Sequence, residues 1–231
     1  KMHMVQSEHP EHMQYKRENP YERNRFFMSN APFTKEMRKT HTILIPNMLP
    51  IHWDLLVRIF DNFGYKVEIL KNTDRAVVDE GLRSVHNDTC YPALLVIGQF
   101  IEALKSGRYD THKVALMMFQ TGGGCRASNY LFLIKKALQK NGFDYVPVIS
   151  LNFSGLKNEG DGWELTLPMI RCGIAAVSYG DLLMLLSNQT RPYEKNKGES
   201  NRLVEKWSEF LTESFKSGKY LSGRSVKSCM D

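Results

Sequence analysis

The stretch Val114–Tyr130 constrains the fold more than any other part of this sequence. Val114–Phe119 is an unbroken apolar run, the pattern of a strand that is covered on both faces of a parallel sheet. The glycines of Gly122–Gly124 then allow a sharp turn and a close approach to the main chain. Cys125 follows where a helix is predicted to begin, and the free N–H groups and dipole of a helix start favour its thiolate. A thiolate at this position could act as a nucleophile, a redox group or a metal ligand.

Hydrophobic periodicity predicts an α/β fold around this stretch. Apolar runs that read as strands alternate with segments in which apolar residues recur at helical spacing. The order strand–helix–strand–helix–helix–strand–helix–strand predicts a three-layer, Rossmann- or flavodoxin-like domain. We expect a four-stranded parallel sheet of order 2-1-3-4, helices on both faces and extra C-terminal helices. The predicted strands are residues 42–46, 65–70, 114–119 and 145–151.

The 231 residues divide by composition into three predicted parts. Residues 1–40 are polar and without periodicity, so we expect an extended arm or linker. Residues 41–195 form the predicted α/β domain, and residues 196–231 a C-terminal helix and tail packed on it. Within the domain, Pro168, Gly173 and Gly180 interrupt a long apolar segment, which predicts broken or kinked helices there.

Charge and composition exclude several classes of protein. The net charge is 31 − 25 = +6, but the basic residues are scattered and form no stripe for nucleic acid. No apolar run reaches the roughly 20 residues of a membrane span, and no signal peptide is visible. The four cysteines include no CxxC pair, which argues against a disulfide scaffold. We therefore expect a cytoplasmic domain that binds neither nucleic acid nor membrane.

Three cysteines share one kind of position in the predicted fold. Cys90 and Cys125 precede predicted helices, and Cys172 lies at a predicted break between helical segments. Successive loops of a parallel α/β domain lie at one end of the sheet, so the three sulfurs could converge on zinc or an iron–sulfur cluster. Asn47 and the glycine turn would line the same crevice, at the switch point of the strand order. A single buried cysteine is more often a small apolar side chain, and the glycine turn also suits a phosphate or flavin contact.

The segments Asn87-Asp-Thr-Cys-Tyr-Pro92 and Gln120-Thr-Gly-Gly-Gly-Cys-Arg-Ala-Ser-Asn-Tyr130, with the lone Cys172, resemble the 2-hydroxyacyl-CoA dehydratase component family. The likeness is greatest to the dehydratase-like region of the large acyl-CoA dehydratase activase-related proteins of anaerobic bacteria. It covers residues 30–195. The resemblance implies a 4Fe-4S or related cluster, lost from protein prepared in air, with Cys90, Cys125 and Cys172 as ligands. Around it would lie the following residues: Asn47, Gly122, Gly123, Gly124 and Arg126.

The resemblance also implies low-potential electron transfer driven by an ATP-hydrolysing activator, and an acyl-CoA as the substrate of the complete system. The chain has no ATPase motif of its own and is much shorter than a full dehydratase subunit. We therefore expect a cluster-binding domain; if it forms part of an enzyme, that enzyme is a lyase-type dehydratase or its electron-transfer activator. The alternatives are a metal-free flavodoxin-like ligand-binding module and an interaction domain whose cysteines are simply buried.

Overall fold

A parallel four-stranded sheet forms the centre of the computed structural model, which describes residues 31–86, 88–120, 130–152 and 160–216. All three strand pairs are parallel, and the strand order is β2-β1-β3-β4. Both the predicted fold class and the predicted strand order are confirmed. The four strands are β1 (Thr42–Ile45), β2 (Val67–Ile69), β3 (Val114–Gln120) and β4 (Val148–Asn152).

Helices cover both faces of the sheet and extend beyond it at the C-terminal end. Local sequence signals set several of their ends. The Asp74 carboxylate accepts a hydrogen bond from the backbone N–H of Val77 at 3.4 Å and so caps α3. Gly64, at φ +79°, ends α2 in the left-handed conformation that glycine adopts without strain. The described helices are α1 (Met37–Thr40), α2 (Pro50–Asn62), α3 (Arg75–Ser84), α4 (Tyr91–Lys105), α5 (Tyr130–Lys140), α6 (Leu167–Thr190) and α7 (Glu199–Lys216).

Alternation along the strands divides the core between the two faces of the sheet. Leu44, Leu116 and Met118 pack in one cluster with α4 and α5. Ile43 and Met117 point to the opposite face and pack with α2 and the start of α6. Since successive side chains of a strand point to opposite faces, both faces of a fully covered sheet are apolar. The result is the three-layer arrangement that the periodicity predicts.

Helices α6 and α7 add a further layer outside α2. Leu55 and Ile59 of α2 pack with Leu211 and other apolar residues of these two helices in a third buried cluster. The imidazole Nε2 of buried His52 lies 2.9 Å from a carboxylate oxygen of Asp181, which ties the start of α2 to the second half of α6. The C-terminal helix therefore packs on α2 and α6.

The predicted breaks in α6 are wrong, because the segment is one continuous helix of 24 residues. Pro168 lies in the first turn, where a missing N–H breaks no helical hydrogen bond. Gly180 lies against the imidazole ring of His52, and a Cβ there would come within 2.6 Å of His52 Cδ2. Gly173 faces open space. Glycine weakens a helix without interrupting its hydrogen bonds, and packing on α2 is sufficient to hold this one together.

Within the described residues, one helix is long and apolar enough to cross a membrane. It runs from Leu167 to Tyr193, has a mean hydropathy of 1.5 and is 33% buried over its most apolar window. The prediction that no apolar segment is long enough to span a membrane is corrected for this helix. Length and composition alone are weak evidence, since core helices of soluble proteins meet the same criteria. The helix carries charged Arg171 and Asp181, and Ile174 is among its exposed apolar residues.

Helices α3 and α4 approach each other closely because two glycines face the contact. A Cβ on Gly98 would lie 2.0 Å from the carbonyl oxygen of Val77, and one on Gly81 would lie 2.5 Å from that of Leu94. Backbone atoms cannot move aside as a flexible side chain can. The spacing of the two helices therefore requires glycine at both positions.

We expect Gly98→Ala to destabilise the protein by about 1–3 kcal/mol, because the added methyl group would push α3 away from α4. Gly173→Ala is the matched control, since it also places alanine inside a helix but meets no atom within 4 Å. That substitution should stabilise the protein by about 1 kcal/mol. Urea unfolding curves measure both changes, and equal effects of the two substitutions would contradict the close helix contact.

A charged cluster also joins α3 to α4. The largely buried carboxylate of Glu80 lies 2.6 Å from Lys105 Nζ and 2.9 Å from Arg83 Nη1. The hydrogen bond from Lys105 is the main cause of a lowered pKa for the Glu80 carboxyl, and the neighbouring positive charges act in the same direction. Burial opposes this shift but does not outweigh it. The folded state therefore favours the ionised form of Glu80.

Since the folded-state pKa of Glu80 is lowered, its contribution to stability is complete above the ordinary glutamate value of 4.5 and is lost as the pH falls through the folded value. We expect Glu80→Gln to be less stable than wild type near neutral pH, with a difference that shrinks below pH 4.5. Glu213→Gln is the control, since its pair with Lys216 is largely exposed. Urea midpoints measured across pH test this, and a difference that does not vary with pH would contradict it.

Candidate functional site

The carboxyl ends of β1, β2 and β3 meet at one edge of the sheet, where the strand order predicts a ligand site. Asn47 follows β1 at this edge and is partly buried there. The glycine turn Gly122–Gly124, Cys125 and Arg126 lie outside the described residues. The site roles of these five residues therefore stay predictions. The predicted site residues that the structure describes are Asn47, Cys90 and Cys172.

Cys90 lies at the N-terminal end of α4, where it is the N-cap residue and partly exposed. Helix α4 leads into the start of β3, so its first turn lies at the carboxyl edge of the sheet. The Cys90 sulfur is 3.8 Å from the hydroxyl of Tyr130, the first described residue after the segment that contains Cys125. Cys90 is thus a thiol at the predicted edge, next to the helix that follows the glycine turn.

Cys172 occupies a different environment. It lies inside α6, is 5% exposed, and packs with Leu55, Ile59 and other apolar residues between α2, α6 and α7. This cluster is on the opposite face of the sheet from the cluster that Cys90 contacts. Gly180 contacts His52 near the start of α2, and Cys172 is eight residues earlier, about 12 Å along the helix toward the amino ends of the strands.

The described residues therefore do not bring Cys90 and Cys172 together. Within the same residues, no group of three or more His, Cys, Asp and Glu side chains could hold a metal ion. Cys172 fits the simpler interpretation considered for it, a small apolar side chain in a packed cluster. Of the two described cysteines, Cys90 alone lies at the edge where the site is predicted.

A chain of buried amides joins the middle of α4 to the ends of β1 and β2 and was not predicted from the sequence. The side-chain oxygen of Gln99 accepts a hydrogen bond from the backbone N–H of Asn47 at 3.2 Å, and its NH₂ group donates to the backbone oxygen of Asn72 at 2.9 Å. The Asn72 NH₂ group donates to the backbone oxygen of Gln99 at 2.9 Å and to Glu102. Since each NH₂ group meets acceptors, these bonds fix the orientation of both amides.

Two amide oxygens at this edge have no hydrogen-bond partner among the residues that the structure describes. They are Asn47 Oδ1 and Asn72 Oδ1, and both are sealed from solvent. A buried acceptor without a donor costs about 1–3 kcal/mol, which is why most such groups in folded proteins are paired. Both residues line a cavity of about 410 Å³ between the ends of β1 and β2 and the helices α3 and α4. The carboxyl edge therefore has two notable features, the Cys90 thiol and these two unpartnered amide oxygens in residues that line a cavity.

The sequence does contain a signal for the buried amides at this edge. Asn72 follows β2 as Asn47 follows β1, so both belong to the edge at which parallel strands end. Gln99 is a polar residue in the middle of the mostly apolar helix α4, where a buried amide needs partners. The hydrogen bonds that link the three residues depend on the separation of α4 from the strands, which the sequence pattern does not provide.

Comparison of this chain with protein-family models, with curated proteins and with solved structures finds no match.

Proposed function

We propose that this chain is the iron–sulfur-cluster-binding domain of a system that resembles the 2-hydroxyacyl-CoA dehydratases and their ATP-driven activators. Cys90 and Cys125 are the proposed protein ligands, and Cys172 is assigned to packing. The single observation that carries the proposal is the Cys90 thiol at the carboxyl edge of the sheet, 3.8 Å from Tyr130, which follows the Cys125 segment. Further coordination would come from residues outside the described ranges, a partner domain or a small non-protein ligand.

The surroundings of Cys90 suit a thiolate-bound cluster. The sulfur is at the N-terminal end of a 15-residue helix, and the positive end of its dipole favours a negatively charged cluster. The Tyr130 hydroxyl is close enough to donate a weak hydrogen bond to the sulfur, and hydrogen bonds to sulfur tune cluster potentials. Gly122, Gly123 and Gly124 would leave room for the cluster, and Arg126 would balance its charge.

When bound, the cluster supplies one-electron transfer at low potential. The residues of this chain hold the cluster and present it at an open edge, where an ATP-hydrolysing activator can dock. An acyl-CoA is proposed as the substrate of the complete system and not of this domain alone. The described edge cavity has no lysine or arginine in its lining for CoA phosphates. We assign the domain to the cytoplasm, since the four cysteines of the sequence include no CxxC pair and argue against a disulfide scaffold.

The proposal predicts iron binding that depends on two of the four cysteines. Full-length protein is reconstituted with iron and sulfide without oxygen, because exposed clusters are lost to it. We expect bound iron and a broad absorption band near about 400 nm in wild type. Cys90→Ala and Cys125→Ala should lose both signals. Cys172→Ala and Cys229→Ala are the matched controls and should keep them.

Wild-type protein without iron, or a Cys125→Ala variant that binds as much iron as wild type, would contradict the proposal. Metal-free protein would then favour the flavodoxin-like ligand-binding alternative. Loss of iron in Cys172→Ala, with an unchanged far-ultraviolet circular dichroism spectrum, would contradict the assignment of Cys172 to packing. Unchanged circular dichroism spectra of all four variants are required before any loss of iron is interpreted.

A further inference from the structure

Helix α6 has an apolar face on the side that points away from the core. Its buried side packs with α2 and α7 in the cluster that contains Leu55, Ile59 and Leu211. Six further apolar side chains of the same helix are 41–64% exposed: Leu167, Ile174, Val177, Leu182, Leu185 and Leu186. A contiguous exposed apolar face of this kind marks an interaction site, whereas single exposed apolar residues are ordinary.

The outermost positions of this face have the spacing of a coiled-coil seam. They are alternately four and three residues apart, which is the heptad spacing that keeps one stripe of a helix against a partner helix. Every one of them is exposed, and together they extend over most of the 24 residues of α6. The stripe, called the α6 seam below, consists of Leu167, Arg171, Ile174, Ser178, Asp181 and Leu185.

The α6 seam is complementary to itself. Positions 167 and 185, 171 and 181, and 174 and 178 are each symmetric about position 176. In an antiparallel pair of identical helices centred on that position, each residue faces its symmetry mate on the other helix. Arg171 then meets the partner's Asp181, and Leu167 meets the partner's Leu185. Opposite charges and apolar side chains are therefore matched along the whole seam.

We propose that a second copy of this chain covers the α6 seam, with the two α6 helices antiparallel about a two-fold axis level with Ala176. A parallel pair would place Arg171 beside the partner's Arg171, and such like-charge contacts disfavour that arrangement. A membrane suits the seam less well, because lipid would bury Arg171 and Asp181 without pairing them. The proposal goes beyond cluster binding and does not depend on it, since Cys90 and Cys125 lie outside α6.

The polar side chains of the seam are compatible with being covered. The Ser178 hydroxyl donates a hydrogen bond to the backbone oxygen of Ile174 at 3.0 Å, so its donor stays satisfied without water. The Asp181 side chain is 65% exposed, and one of its oxygens lies 2.9 Å from His52 Nε2. Its second oxygen can accept from Arg171 of the partner subunit.

Sedimentation equilibrium of the full-length, iron-free protein tests the proposal over concentrations from about 1 µM to about 200 µM. Wild type should change from monomer to dimer within this range, since a single helix pair is a small interface. Leu185→Glu should remain monomeric, because its carboxylate would face the partner's Leu167. Leu203→Glu is the matched control. Leu203 is 50% exposed against 54% for Leu185 but lies on α7, so this variant should dimerise as wild type does.

Two charge reversals test the antiparallel register. Arg171→Asp and Asp181→Arg should each weaken the dimer at least about tenfold, because each brings like charges together. An equimolar mixture of the two variants should dimerise as wild type does, since opposite charges meet again at both contacts of the mixed dimer. Each variant must keep the wild-type circular dichroism spectrum, because Asp181 also contacts His52.

Wild type that is monomeric at every concentration, a Leu185→Glu variant that dimerises normally, or a mixture that dimerises no better than the separate charge variants would each overturn the proposal. Monomeric wild type that binds phosphatidylcholine vesicles, with binding lost in Leu185→Glu, would identify a membrane as the occupant instead. Iron binding is measured separately, so failure of the dimer leaves the cluster proposal intact, and the reverse also holds.

Discussion

The hydrogen bonds of Gln99 join helix α4 to the ends of two strands. Its amide accepts from the backbone of Asn47 after β1 and donates to the backbone of Asn72 after β2. Because Gln99 is buried, breaking either bond would leave a polar group without water or a partner. The position of α4 relative to the sheet edge follows from these bonds together with the glycine contact to α3. Both the cavity and the location of Cys90 depend on that position.

Much of the fold was predictable because local and long-range signals agree. The apolar run of β3, Gly64 at the end of α2 and the Asp74 cap of α3 each specify an element by a short-range rule. Strand order then follows from the crossover rule for parallel strands. The wrong prediction of breaks in α6 arises where local and long-range signals disagree. Pro168 and Gly173 predict interruptions on local propensity alone. Pro168 instead lies in the first turn of α6, where proline is tolerated, and packing against α2 overrides the weak helix propensity of Gly173.

The candidate site was only partly predictable. Cys90 and Cys172 look alike in sequence, since each lies near a proline at a helical boundary. The prediction that they converge assumes that the chain re-enters a helix at the same end of the sheet each time. After β4 the chain instead reaches Trp163, whose ring contacts Tyr65 at the amino end of β2, before α6 begins. Helix α6 therefore starts at the far end, and Cys172 packs in an apolar layer.

The central claim is that Cys90 and Cys125 form one site from which Cys172 is excluded. Mild oxidation of the iron-free protein, followed by mass spectrometry of its disulfide-linked peptides, tests this most directly. A disulfide requires Cα atoms within about 7 Å of each other, so the linked pairs report which cysteines are neighbours. The account predicts a Cys90–Cys125 link in protein that remains folded. A Cys90–Cys172 link would contradict it.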